Sequence, residues 1–515
     1  MAQKQESAAK LLKRGRGYRY SLILEGIGVG AAGGLVTVLF RVALEKADAF
    51  RGMVAGLAAG NPAVLAGWCL ALLLGAAAVT LLLRWEPLIG GSGIPQVEGE
   101  MQGALSQVWW RVLLAKLLGG VLSIGAGLSL GREGPSIQLS AMAGKGVSRL
   151  LGRERTEEKL LLTCGASAGL AAAFNAPFAG VLFSLEELHK DFSTDVLLSA
   201  MAASITGDFI SRMVYGLGPV FDFSEIPPLP LRQYWTVLLL GIVLGLVGAV
   251  YNFCIGKAQD LYSRVPGQFL RTLLPFAAAG VLLVVYPAVL GGGHNLVEQV
   301  SQEMLLRSLL VLFAAKFLFS MVSFGSGVPG GIFLPLLVLG AIVGSACSQV
   351  FQGMGLAAPP QSFVILGMAG LFAAIVRAPV TGIILISEMS GSFTHLLSLT
   401  LVALAAYVTA DLLRSKPVYD LLLERLLKKR GVRTEADGEK VLIEVPISHG
   451  AAVCGTPIRE LSWLGDALVV AVRRHDRELI PHGDTALEAG DVLVLLCEES
   501  KSHPVYEAVT AQCKR

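Results

Sequence analysis

Long apolar runs alternate with short ones broken by glycine and proline from residue 21 to residue 415. The stretches 21–44, 63–84, 233–252 and 268–290 are long enough to cross a hydrocarbon core of about 30 Å as helices. Others, such as 136–150, are too short to cross. Short interrupted segments at membrane depth persist only where they are buried in protein or line a cavity, which is the pattern of transporters. The first two spans are expected to be joined by a loop holding Arg51 and the Asn61-Pro62 turn signal. The last apolar stretch is 394–413, and ERLLKKRGVRTEADGEK (424–440) then reads as a charged linker. From 438 to 515 short β patterns (KVLIEVPI, ALVVAVRR, DVLVLLC) alternate with turns at Asp466, His482-Gly483-Asp484 and Ala489-Gly490-Asp491. The expected organisation is a basic segment over 1–20, a membrane body over 21–420, a linker over 421–437 and a small α/β domain over 438–515.

The membrane body repeats itself. At an offset of 200, Ala115, Lys116, Leu118, Ser123, Gly125, Gly127, Gly131 and Pro135 meet Ala315, Lys316, Leu318, Ser323, Gly325, Gly327, Gly331 and Pro335. That is about eight identities in roughly twenty positions, where chance gives roughly two. Gly91, Gly93, Val97 and Glu98 meet Gly291, Gly293, Val297 and Glu298 at the same offset. With two residues inserted, Gly165, Ala176, Pro177, Gly180 and Glu186 meet Gly367, Ala378, Pro379, Gly382 and Glu388. The halves run over about 21–215 and 233–420. Duplicated broken helices point to a transport site at the repeat interface, and an inverted pair aims both loop-to-helix junctions at one point.

Composition agrees with the periodicity. With 54% hydrophobic and 16% charged residues and a mean hydropathy of +0.64, the chain is far outside the soluble range and is an integral membrane protein. Lys4, Lys10, Lys13, Arg14, Arg16 and Arg19 precede the first span against the single acid Glu6, so the N-terminus is expected in the cytoplasm. This tail reads as a topogenic signal, not a nucleic-acid site. No cleavable signal peptide is expected, because the first apolar stretch continues into a multispan body. The seven cysteines show no CxxC spacing and read as packing residues, and no metal or cofactor motif is present.

The candidate chemistry lies in SIGAGLSLGREGP (123–135). Gly131 and Gly134 let the backbone turn, Pro135 suits a first helical turn, and the exposed amides at a helix N-terminus attract anions. Glu133 is a tethered anion able to occupy that site itself, and its protonation would release it, coupling anion to proton passage. The alternative is a glycine-rich surface serving close helix packing. GGSGIPQVEGE (90–100) is a second loop feeding a helix, where Ser92 brings a hydroxyl donor. GVPGGIFLP in the second half supplies the amides of Ile332 and Phe333, an uncharged donor set suited to an anion.

Lys116 is expected to snorkel or to bias a pathway toward anions. The mixed-charge segment Lys145 to Lys159 reads as a connecting loop. Glu186 and Glu187 either end a helix in water or act at membrane depth. Tyr419 reads as an interfacial anchor. GASAG (165–169) matches the GxSxG nucleophile elbow, but its helical apolar flanks and the absence of a placed histidine speak against catalysis by Ser167.

Over roughly 18–420 the chain resembles the CLC chloride channel and transporter family, on GSGIP (91–95), GREGP (131–135) and GGIFLP (330–335) in that order. The resemblance implies an all-α polytopic membrane protein with two inverted repeats of broken, tilted helices, a homodimer with one pathway per subunit, and carriage of chloride. It also implies that Ser92, Tyr419 and the Ile332 and Phe333 amides bind the central ion, which replaces the anchor reading of Tyr419. Arg132, Glu133 and Gly134 would form the outer gating site, and Glu187 would transfer protons from inside. Glu187 implies a chloride/proton exchanger of a bacterial plasma membrane, with a passive anion channel as the alternative. Ser92 with GREGP speaks against the fluoride-exporting branch. A non-conducting receptor signalling through its tail is a further alternative.

The tail is similar to TrkA-C domains on SHGAAVCGTPIREL and ELIPHGDTALEAGDVLVLL. Such domains pair and bind small ligands. A cytosolic regulatory domain answering to a nucleotide, or a dimer-stabilising appendage, is therefore expected over 438–515.

Overall fold

A computed structural model describes residues 15–513 except 59, 191–192, 222, 224–225, 227, 303, 357, 432–439, 462–466, 475–476 and 499–501, with the side chains of 15–19 and 195 also set aside. The tail up to Arg14, the side chains of 15–19, Asp466 and residues 432–437 of the expected linker lie outside this description. The chain divides into two compact units, 1–426 and 427–515.

The first unit is helical, and its helices fall into two series. The first series is α1 (Gly15–Ala58), α2 (Pro62–Trp85), α3 (Ile94–Met101), α4 (Trp109–Gly125), α5 (Glu133–Leu150), α6 (Arg155–Phe174), α7 (Pro177–Phe183) and α8 (Thr194–Tyr215). The second is α9 (Tyr234–Arg264), α10 (Gln268–Val285), α11 (His294–Val300), α12 (Leu306–Gly325), α13 (Phe333–Gly353), α14 (Pro360–Val376), α15 (Pro379–Ser390) and α16 (Leu396–Leu412). They correspond one to one along the sequence offset, and α17 (Val418–Lys429) follows. Among the described residues six helices are long and apolar enough to cross a membrane, namely the helical segments Tyr20–Ala58, Pro62–Trp85, Leu231–Arg264, Gln268–Val285, Leu306–Gly325 and Phe333–Gly353. The short segments between them are the pieces the sequence pattern marked as broken.

Local chemistry sets the boundaries. Asn61 caps α2 by accepting from the Ala63 amide at 3.0 Å, with Pro62 at the first helical position. Glu154 and Glu157 form a capping box at the start of α6. Close packing then replaces the solvent-driven hydrophobic effect. A methyl at Gly169 on α6 would stand 2.5 Å from the Ser136 carbonyl oxygen on α5, and Gly340 and Gly367 abut in the same way between α13 and α14.

Three expectations change. Arg51 is not in a loop but inside α1, which continues to Ala58, because DAFRGMVAGLA is rich in helix formers once its polar end need not be membrane-buried. Lys145 belongs to α5, so the expected Lys145–Lys159 loop shrinks to the few residues before Arg155. The expected linker is helical through Lys429.

The second unit is an antiparallel sheet of β1 (Lys440–Pro446), β2 (Leu468–Arg474), β3 (Arg477–Leu479) and β4 (Val492–Glu498), ordered β1-β4-β2-β3, with α18 (Ser502–Cys513). Val445, Val472, Leu487, Leu493, Leu495 and Val509 form its core. Asp491, 1% exposed, accepts from Arg474 Nε at 2.9 Å and Nη2 at 2.8 Å, which fixes the turn before β4.

Candidate functional site

The two halves meet at their loops. Gly131 donates to the Gly331 carbonyl at 2.7 Å and Gly331 returns the bond at 2.8 Å, an antiparallel bridge between equivalent positions. Gly91 donates to the Gly327 carbonyl at 3.2 Å, and its counterpart Gly291 donates to the Gly127 carbonyl at 2.8 Å. Each loop is therefore completed by the other repeat, related by a local two-fold axis, as inversion requires.

Two fully buried lysines serve these loops. Lys116 Nζ donates to the carbonyls of Ile89 at 2.8 Å and Gly91 at 2.7 Å. Lys316 Nζ donates to Val289 at 2.9 Å and Gly291 at 2.6 Å, the same pattern shifted by the repeat. Lys116 is fully buried, so it neither snorkels nor faces an open pathway. It clamps a turn whose Gly91 and Gly93 take φ of 68° and 103°, a region closed to most side chains.

Glu133 and Phe333 are the first residues of α5 and α13. Neither Arg132 nor Ile332 offers a side-chain cap, so the first-turn amides of both helices have no capping oxygen from those residues. Glu133 is 0% exposed, and both its carboxylate oxygens lack a full hydrogen bond. They lie against the Glu133 and Leu334 amides, with Arg132 Nε 4.0 Å away. The carboxylate thus meets an amide of the second repeat, that of Leu334, the residue after the Ile332 and Phe333 pair that the sequence assigned to the ion.

On the other side, the Ser92 and Tyr419 hydroxyls lie next to each other, both buried and without a full hydrogen bond. A methyl at Gly134 would run into Ser92 Oγ and stand 2.8 Å from its carbonyl oxygen, so GREGP and GSGIP pack directly together. Tyr419 is 0% exposed near the start of α17 and is no interfacial anchor. Its ring stacks edge-on against Phe183 at 6.4 Å, which in turn meets Phe333 at 6.2 Å. These two hydroxyls add donors without a full partner to the junction that holds the Glu133 carboxylate.

Glu187 sits where α7 widens into a π-turn (Ser184–His189), is 5% exposed, and has one carboxylate oxygen unpartnered. Glu186 points elsewhere and is not a helix end in water. Its carboxylate accepts from the Val380 and Thr381 amides at 3.3 and 2.8 Å and from Thr381 Oγ1 at 2.7 Å, capping α15. Its repeat counterpart Glu388 accepts from the Phe178 and Ala179 amides at 3.1 and 2.8 Å, capping α7. Sequence reasoning missed this exchange of caps, though the Glu186–Glu388 alignment carried its signal. Ser167 is interior to α6 and donates to the Thr163 carbonyl at 3.0 Å, which removes the nucleophile-elbow reading.

Arg132 also lines an open cavity of ≈ 350 Å³ with Arg51, His294 and Leu334. Its wall carries charges of both signs, Arg51 and Arg132 against Glu45 and Asp48.

Paired series of broken helices whose loops converge on one buried junction define a membrane transport protein of the repeat class. Residues 74–411 match the voltage gated chloride channel family, and the chain belongs to that family, the CLC proteins. Residues 442–508 match the TrkA-C domain. The H(+)/Cl(-) exchange transporter ClcA of Yersinia pestis is 35% identical over 421 residues, 78% of this chain and 88% of the relative. A slow cyanobacterial Cl−/H+ antiporter of known structure is 34% identical with a TM-score of 0.75, covering 80% of this chain and 99% of that one. A eukaryotic CLC transporter, 23% identical with a TM-score of 0.68, shares the fold over 80% of this chain and 74% of its own. Members of this family are transporters, not enzymes.

Proposed function

We propose that this chain exchanges chloride for protons across a bacterial plasma membrane, with Glu133 as the movable gate. The observation that carries this reading is the Glu133 carboxylate itself, wholly buried at a helix N-terminus and unpaired by any full hydrogen bond. An ionised carboxylate there mimics the transported anion. Protonation removes the charge that holds it against the Leu334 amide, and chloride takes its place. Ser92, Tyr419 and the first-turn amides of Ile332 and Phe333 would hold the central ion, and the amides from Arg132 to Gly134 the outer one. Glu187 would pass protons between the cytoplasmic side and Glu133. The names of the Yersinia pestis and cyanobacterial relatives support exchange over passive conduction.

The same reading places both termini in the cytoplasm, pairs two copies with one pathway each, and gives 438–515 a regulatory role with a small ligand such as a nucleotide. The deciding experiment is the reversal potential of the reconstituted protein under opposed chloride and proton gradients. Coupled exchange puts it between the two equilibrium potentials. A value that ignores the proton gradient makes the protein an anion channel instead. Glu133→Ala is expected to keep chloride flux and lose proton movement.

A further inference from the structure

Lys190 follows the π-turn with φ 55°, in the left-handed region that a residue with a Cβ avoids unless its surroundings hold it there. What holds it is visible. Its Nζ lies 2.9 Å from Glu98 Oε1 and 3.1 Å from Asp420 Oδ1. Glu98 is on α3, the helix fed by the Ser92 loop. Asp420 is the residue after Tyr419 on α17. Lys190 itself follows the turn that bears Glu187. One ammonium thus joins the elements that present the two orphaned hydroxyls and the buried carboxylate.

Other charges around it are committed elsewhere. Glu186 caps α15, Lys416 pairs with Glu424 at 2.8 Å, and His189 Nδ1 meets Thr163 Oγ1 at 3.2 Å. Glu187 stands beside the cluster of Glu98, Lys190 and Asp420, with one carboxylate oxygen unpartnered. The two arms of the lysine differ in kind. The Glu98 side chain is 1% exposed, and a buried carboxylate holds its counter-charge firmly. Asp420 is 38% exposed and the lysine side chain 47%, so that arm is wet, screened and easily exchanged for water. A connection with one fixed end and one releasable end is a latch.

We propose that Lys190 is a positioning residue that latches α17 to α3, keeping Tyr419 against Ser92 and the inner anion route closed while a proton moves through Glu187. Release of the Asp420 arm lets the two hydroxyls part. This role rests on the exchange reading above and adds to it the element that times inner opening.

The test uses the full chain in liposomes, with chloride as the probe, and reads chloride efflux per protein together with reversal potential. Lys190→Met and Asp420→Asn are each expected to raise chloride efflux several-fold and to move the reversal potential toward the chloride equilibrium value. Lys190→Arg, which keeps the charge, is expected to stay at the wild-type potential. Should Lys190→Met misfold because Glu98 is left buried and unpaired, the pair Glu98→Gln/Lys190→Met removes that stranded charge and is expected to show the same displaced potential. A merely structural lysine lowers both fluxes together and leaves the potential where it was, and that result in Asp420→Asn and the double variant overturns the latch. A wild-type potential blind to protons sinks the exchange reading as well, which keeps the two failures distinguishable.

Discussion

Gly131 and Gly331 hydrogen-bond to each other in both directions, at 2.7 and 2.8 Å, and so mark the point where the two repeats turn into one another. Their surroundings are nevertheless unequal. A methyl at Gly131 would strike Glu133 Oε2 and stand 3.0 Å from the Leu334 nitrogen, whereas at Gly331 it would stand 3.1 Å from the Gly131 oxygen and 3.2 Å from the Gly134 nitrogen. Gly131→Ala is therefore expected to displace the carboxylate and lower proton flux about tenfold, a barrier change of about 1.4 kcal/mol. Gly331→Ala is expected to weaken the loop pairing while keeping the proton-to-chloride ratio. Parallel proton and chloride assays on the same vesicles check both.

Lys116 and Lys316 make matching carbonyl clamps, but only the first holds a loop with a hydroxyl, since Gly292 stands where Ser92 does in the other half. Lys316→Met takes the donor from the Val289 and Gly291 carbonyls and Lys116→Met takes it from Ile89, while the Gly91 carbonyl keeps the Gly330 amide at 3.0 Å; each carbonyl left unsatisfied costs about 1–3 kcal/mol. Both variants are expected to melt earlier in detergent. Lys116→Met alone is expected to lose chloride binding by calorimetry, because the Gly90–Gly93 turn sets the direction of Ser92 Oγ. Equal loss of chloride binding in the two variants would falsify the asymmetry.

Much of this site was legible in the chain because glycine and proline at turns answer to local backbone geometry. The offset pairing of 131 with 331 and the loop-to-helix reading of GREGP and GSGIP both follow from such rules. Lys116 was misread because its partners are carbonyls, which every residue carries, and only the tertiary fold selects which ones it meets. Arg51 and Lys145 were misplaced for a related reason. A hydropathy pattern ends where polarity begins, while helices with good formers run on beyond the apolar stretch. Lys190 had no sequence signal, since its two acceptors come from distant parts of the chain.

Glu186 and Glu388 exchange helix caps across the repeats. A carboxylate at a helix N-terminus contributes roughly 1–2 kcal/mol through cap bonds and the helix dipole. Glu186→Gln and Glu388→Gln are each expected to destabilise the protein by about 1 kcal/mol, with the double variant costing less than the sum because both hold one α7–α15 contact. Thermal melts of the four proteins complete the cycle, and strict additivity contradicts a shared contact.

Ser167 donates to the Thr163 carbonyl inside α6 and is 0% exposed. A serine with that bond and no exposure has no route to an electrophile. Ser167→Ala is expected to change neither transport nor labelling by a serine-reactive probe, whereas labelling of the wild type that disappears in the variant would restore the catalytic reading.

The C-terminal unit offers a chemical test of its core. Cys513 is 0% exposed, and burial, helped by the nearby Cys454 thiol, pushes its own thiol up to about 11, while burial also raises Cys497. Cys454 is only partly buried. With a thiol reagent at pH 8 and the full chain folded in detergent, Cys454 is expected to react while Cys497 and Cys513 stay protected, as read by peptide mass mapping. The raised thiol also fixes a sign. Its folded value of about 11 lies above the ordinary 9.0, so its contribution to stability is intact below pH 9 and lost as pH rises through 11, the unfolded chain releasing the proton first. The temperature at which Cys513 becomes reactive is expected to fall between those pH values. A temperature that stays level or rises there would mean that the α18 face is open to water in the folded domain.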